Sequence, residues 1–209
     1  MGLHSDPSSL AHTAPRRPKA SAKGNALAGL KRYVEQQHGE AGVAAWLRAA
    51  PAEDGALIRG LVLANAWYDV AMWNRLTDAY VAALGGGDRA SFRPLAHDVA
   101  ANDLNVIFKV LLKIATPEIL MGNAPRLYAR YFDSGRVEAR QRGPRRFAVD
   151  VVAPTALDAA PNRVTCEAGI PAWLERGLLL TGAASPVATH RACRFDGARA
   201  CEIEVTWAA

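Results

Sequence analysis

Leu27, Leu30, Tyr33 and Val34 recur at three- and four-residue spacing, the repeat of one helical stripe, and Asn25 stands before them as an N-cap. Val43, Trp46 and Leu47 mark a second short helix over 40–50, stopped by Pro51. Residues 56–66 are apolar and read equally as helix or strand. Val70, Trp73, Leu76 and Tyr80 predict a helix over 67–84, and Gly85, Gly86 and Gly87 end it. Two or three more helices are expected over 90–132, one from Phe92 to Leu112 and one after Pro117. Then the period changes. Val137, Ala139 and Gln141 alternate with Glu138, Arg140 and Arg142. After Gly143-Pro144, Phe147, Val149 and Val151 alternate with Ala148, Asp150 and Val152, which is a hairpin signal. A helix through Trp173, Leu174, Gly177 and Leu178 comes next. Two closing strands are expected at about 187–195 and 199–207, around Asp196-Gly197. The predicted class is α+β: N-terminal helices, then hairpin, helix and hairpin, forming an antiparallel sheet with helices packed on one face.

Composition sharpens this plan. Residues 1–24 are rich in Ser, Pro, Ala and Lys/Arg and carry most of the net charge of +5. They cannot bury enough apolar surface to offset chain entropy, so a disordered basic tail is expected, with one domain over 25–209. The body is nearly neutral, which speaks against nucleic acid as partner. The longest apolar run, around Val106 to Ala115, is broken by Lys109 and Lys113, so no membrane span is expected. No secretory leader is visible, and three cysteines are an odd number. A cytoplasmic protein with reduced thiols follows.

All three cysteines lie in the last quarter: Cys166, Cys193 and Cys201, with His190 three residues before Cys193. Thiolates and imidazole are the ligands of a structural Zn²⁺ site. On the final strand Cys201, Ile203, Val205 and Trp207 point to the core, and Glu202, Glu204 and Thr206 point out. A three-residue loop, Asp196 to Ala198, places Cys193 opposite Cys201 on one face. A two-residue loop splits them to opposite faces. On an ideal strand His190 points away from Cys193, and only a bulge or a late strand start brings it in. Cys166 shares a helical stripe with Ile170, Trp173 and Leu174 and would face the sheet. The competing reading is that the three are buried cysteines acting as small hydrophobes.

The segment from Cys166 to Trp207, with its helix of small residues, His-x-x-Cys, seven residues, Cys, and alternating strand ending in Trp, resembles the C-terminal half of 4-vinyl-reductase-type domains. Those domains are related to haem–nitric-oxide-binding domains and to small subunits of vesicle-tethering complexes. In versions attached to aromatic-sensing transcription activators, an upstream Cys, a Glu and two Cys hold Zn²⁺. The resemblance carries that role to Cys166, His190, Cys193 and Cys201, with His where Glu is usual. The stretches "GLVLANAWYDVAMWNRLTDAYVAALGGG" and "FKVLLKIATPEILMGNAPRLYARYFDSGRVE" resemble a group of bacterial paralogues of similar length. The resemblance implies a domain that dimerises and holds a small hydrophobic molecule.

The remaining candidates follow from residue types. Trp67, Tyr68, Trp73 and Trp173 are candidates to line an apolar ligand pocket, with plain core as the alternative. His97 is a conceivable haem ligand, but the Tyr-x-Ser-x-Arg motif that grips haem propionates is absent, and 128–132 read Tyr-Ala-Arg-Tyr-Phe. Haem is therefore set aside. Arg136, Arg140, Arg142, Arg145 and Arg146 crowd the first hairpin as a solvated tip. No nucleophile elbow, zinc-protease, phosphate-loop or kinase motif is present. The expectation is a non-enzymatic regulatory or sensory domain that binds a small hydrophobic ligand and dimerises, with structural zinc as an option. The alternative is a ligand-free scaffold or protein-interaction module.

Overall fold

The structure, a computed structural model, describes residues 20–107, 115–154 and 159–208. It is α+β, as the periodicity predicts. Helix α1 (Gly24–Ala49) carries Leu27, Leu30, Val34 and Trp46 into the core. The two helices expected in this stretch run on through a kink at Gly39, whose φ of 60° favours glycine. Trp46 is fully buried, and its Nε1 donates to the Leu76 carbonyl at 2.9 Å. The N-cap is Lys23, not Asn25, whose side chain turns instead to Asp103.

Residues 21–24, placed in the expected tail, form strand and the start of α1. Strand β1 (Ser21–Lys23) pairs antiparallel with β2 (Trp67–Asp69), and Ala22 bridges to Phe132. Residues 1–19 lie outside the described residues. The ambiguous stretch resolves into helix α2 (Ala52–Arg59) and a connecting loop. Helix α3 (Val70–Leu84) starts later than its periodicity suggests, because the Asp69 side chain accepts from the Ala71 N–H at 2.9 Å and caps it. The three glycines then close it: Gly86 and Gly87 hold φ of 61° and 82°, and Gly87 N–H reaches the Val81 carbonyl.

Helix α4 (Arg93–Ile107) runs to the last described residue before 108–114, and the predicted continuation to Leu112 lies outside the described residues. Short helices α5 (Pro117–Gly122) and α6 (Ala124–Tyr128) follow. The sheet has order β3-β4-β6-β5, from β3 (Arg136–Gly143), β4 (Arg146–Val152), β5 (Ala184–Ala192) and β6 (Cys201–Ala208). Val137 faces Val151, Ala139 faces Val149 and Gln141 faces Phe147, the register the alternation requires. The inner face, with Phe147, Val149, Val151, Ile203, Val205 and Trp207, is buried. Helix α7 (Ile170–Leu180) packs on α4 and β5, and α6 packs on β3. Fully burying each such side chain contributes about 1.5–3 kcal/mol.

On the outer face the hairpin arginines are paired, Arg140 with Asp150 and Arg146 with Glu204. These exposed pairs set solubility and register more than stability. Among the described residues no helix is long and apolar enough to cross a membrane.

Candidate functional site

Two features meet in the interior: a thiol–imidazole cluster at one end of the sheet and an apolar cavity beside it. The cluster is assembled by an irregularity in β5. His190 pairs with Ile203 and Ala192 pairs with Glu202, so Arg191 is an extra residue. This β-bulge turns His190 and Cys193 to the same, inward face of the sheet, where an ideal strand would separate them. The closing strands are displaced from the expected bounds: β5 begins and ends three residues earlier, and β6 begins two residues later. Between them a 3₁₀ turn (Arg194–Asp196) and Gly197 at φ 90° carry the chain round. The Cys193 carbonyl accepts from the N–H groups of Asp196 and Ala198, which fixes Cys193 at the mouth of the turn. Neither tight loop considered from the sequence forms.

The ligand atoms of His190, Cys193 and Cys201 all lie within 4.8 Å of one another. Cys166 comes from above, on the π-helical turn Thr165–Gly169 that leads into α7. Its sulfur lies beside Cys201, but its thiol donates to the Pro161 carbonyl at 3.9 Å and it is not one of the three whose ligand atoms lie within 4.8 Å of one another. The neighbouring Cys166 sulfur, helped by the imidazole of His190, pulls Cys201 down to about 4. The same pairing and burial push Cys166 well above the usual thiol range, and burial pushes Cys193 up to about 11. The Nε2 atom of His190 is buried and meets no hydrogen-bond partner. All three cysteines are buried and free of disulfides. Two sulfurs and an unengaged imidazole nitrogen within reach of one another, with a third sulfur beside them, are donor types that a tetrahedral thiolate site uses.

The cavity lies between the helical layer and the sheet and measures about 90 Å³. Trp73, Phe92, Phe132 and Trp173 form much of its wall, joined by Tyr128, Tyr131, Thr165 and Gly169. Of the four aromatic candidates, Trp73 and Trp173 line it. Trp67 and Tyr68 do not: Lys23 Nζ stacks over Trp67 at 4.6 Å, and the Tyr68 hydroxyl accepts from the Leu63 N–H. The polar wall atoms are engaged. Trp73 Nε1 donates to Thr165 Oγ1 at 2.9 Å, Trp173 Nε1 donates to the Tyr131 hydroxyl at 3.1 Å, and Tyr131 donates to Asp103. Tyr128 donates to the Ser134 carbonyl. Sequence periodicity missed Tyr128, Tyr131 and Thr165 as wall residues, because their helical spacing reads as ordinary core. His97 does not line the cavity; its Nε2 lies 3.4 Å from Glu175.

No protein-family profile matches the chain, and no curated protein matches it. Solved structures do. A mutant Fe(II) unliganded H-NOX protein from K. algicida is similar over 90% of this chain and 97% of its own, with TM-score 0.68 and 10% identity. The Fe(II)NO H-NOX protein from S. oneidensis is similar over 90% and 99%, with TM-score 0.61 and 16% identity. A mutant H-NOX from T. tengcongensis is similar over 90% and 98%, with TM-score 0.65 and 8% identity. At these identities the likeness is one of fold. It shows the haem–NO-binding fold over nearly the whole described chain.

This corrects the sequence reading on haem. Haem was set aside for want of a propionate motif, yet the chain adopts the fold of haem domains, so the cavity has to be measured against that group. Haem requires an axial donor. Among the described wall residues only the hydroxyls of Tyr128 and Tyr131 are of a type that binds haem iron. Burial pushes both far above the usual phenol range, and both already donate hydrogen bonds. The cavity is also smaller than the roughly 300–1,000 Å³ of pockets that hold drug-sized ligands. The described wall in this arrangement does not fit haem.

Proposed function

We propose that this protein is a sensory domain of the haem–NO-binding fold, which takes a small apolar molecule into the cavity between helices and sheet. The observation that carries the reading is the cavity itself. It is walled largely by aromatic and aliphatic side chains, and the polar atoms of its tryptophans are satisfied by protein partners, so it offers dispersion contacts and disfavours charge. An apolar cavity of roughly 150 Å³ admits benzene or xenon, and this one is somewhat smaller. Reversible binding without chemistry suits a regulatory part better than a catalyst. The likeness in fold favours a second reading, haem itself, bound after rearrangement of the wall.

One set of measurements separates the two. Native mass spectrometry of the purified protein identifies a co-purified molecule, and addition of hemin followed by an absorption scan reports haem through a Soret band. A small apolar adduct with no Soret band supports the first reading, and a stoichiometric Soret band replaces it with the second. Absence of both, with no uptake of benzene or xenon, rejects a ligand-binding role in favour of a scaffold.

The thiol–imidazole cluster belongs to the same proposal as a metal site held by Cys166, His190, Cys193 and Cys201. A bound cation would tie the closing strands to the turn before α7 and add directly to folding stability. The spacing that resembles the 4-vinyl-reductase-type domains supports this assignment. Three unpaired thiols are consistent with a cytoplasmic setting. Dimerisation, also implied by that resemblance, is tested by sedimentation of the purified chain.

A further inference from the structure

The cavity and the thiol cluster share a wall. Thr165, Gly169 and Ile170 line the cavity, and Cys166 lies between them in sequence, on the same π-helical turn, with its sulfur beside Cys201 of the cluster. Thr165 is held from both sides: its hydroxyl accepts from Trp73 on the cavity wall and donates to Asn162 Oδ1.

A π-turn carries one residue more than the α-helix it interrupts, and such turns recur at functional sites. It has a discrete alternative, because absorbing the extra residue re-registers the turn. Close-packed walls respond to added volume by switching arrangement rather than stretching evenly. Gly169 leaves little slack, since a β-carbon there would sit 3.3 Å from Phe92.

We infer that the cavity and the Cys166–His190–Cys193–Cys201 cluster are one coupled unit: a molecule larger than the resting cavity displaces the Thr165–Gly169 turn and separates Cys166 from Cys201. The inference rests on the cavity being the ligand site. By linkage the coupling is reciprocal, so a cation held by the cluster weakens binding in the cavity by the same factor. The sign is negative because the ligand needs an expanded wall and the cluster needs a contracted one.

The test uses the full reduced chain and two probes. Toluene exceeds the resting cavity, whereas xenon is much smaller. Fluorescence of Trp73 and Trp173 reports toluene uptake, and mass spectrometry after iodoacetamide reports the alkylation rate of each cysteine. Toluene is expected to speed alkylation of Cys166 roughly tenfold, a typical coupling, while xenon leaves it unchanged. Co²⁺ is expected to raise the toluene Kd by the factor by which toluene raises the Co²⁺ Kd. Toluene uptake with unchanged alkylation overturns the coupling and leaves the ligand reading standing. If toluene does not enter, the ligand reading is decided by benzene and xenon uptake, and Ala96→Leu and Ala124→Leu, which add volume at the cavity wall, decide the coupling. Faster Cys166 alkylation in either variant with a native circular-dichroism spectrum supports it; unchanged alkylation in folded variants overturns it.

Discussion

The hydroxyl of Tyr131 donates to Asp103 Oδ2 at 2.7 Å and links the segment after α6 to the middle of α4. Asn25 donates to the same oxygen at 2.9 Å. Burial raises the Asp103 carboxyl above its ordinary value, and the two hydrogen bonds only partly offset this. A carboxyl with a raised folded-state pKa contributes stability below its ordinary pKa and loses it as pH rises through the folded value. Asp103→Asn should therefore compare least favourably with the native chain at about pH 3.5, just below the ordinary carboxyl value of 3.8, and improve relative to it towards pH 7. Thermal unfolding of both chains across that range checks the sign. A gap that widens with pH would mean that the hydrogen bonds outweigh burial.

Asp54 is almost fully buried and takes two hydrogen bonds from Arg75, at 2.6 and 2.8 Å. Replacing Arg75 by Met leaves that carboxylate without its fork. A loss of about 2 kcal/mol is expected, reduced from the fully buried case because Arg75 is partly exposed. Urea unfolding measures it, and Arg75→Lys should recover less than half because a single ammonium cannot bridge both oxygens.

Gly29 lets α1 approach α4. A β-carbon at that position would lie 2.8 Å from Val99 Cγ2. Gly29→Ala is expected to cost about 1–3 kcal/mol by overpacking, despite the better helix propensity of Ala. Val99→Ala in the same chain should restore part of the loss, and a double-mutant cycle by denaturant unfolding reads the coupling.

The metal proposal makes a spectroscopic prediction. Co²⁺ titrated into the reduced chain should produce sulfur-to-cobalt charge-transfer absorption in the near ultraviolet with one equivalent bound. Cys201→Ser should weaken the band and loosen binding, since it removes the sulfur grouped with both His190 and Cys193. His190→Ala should keep a weaker band and bind roughly 10–100-fold less tightly, with water in the vacated position. A folded native chain that gives no band at all leaves the four residues as core.

The order of helices and strands was legible because each strand has one buried face and each long helix one buried stripe. Val137, Val149, Ile203 and Val205 could sit on no other side of the sheet. The start of α3 was misplaced for a local reason. Trp67 and Tyr68 fit the apolar repeat, but the Asp69 cap begins the helix after them and β1 claims them as a strand partner. Convergence of the four site residues was only partly legible. Facing of Cys201 followed from alternation, while the position of His190 depended on an irregularity that no residue type announces. Haem was set aside on a missing motif alone, and a fold shared at about 10% identity leaves no motif to find, so the cavity wall is the better guide.

The extra residue at Arg191 makes linear spacing a poor ruler for this site. A relative whose fifth strand ran without that insertion would need its imidazole one place nearer the following thiol, His-x-Cys instead of His-x-x-Cys, to reach the same point in space. Searches that demand a fixed gap would pass over such chains. Deleting Arg191 here would swing either the imidazole or Cys193 out to solvent while leaving every donor in the polypeptide.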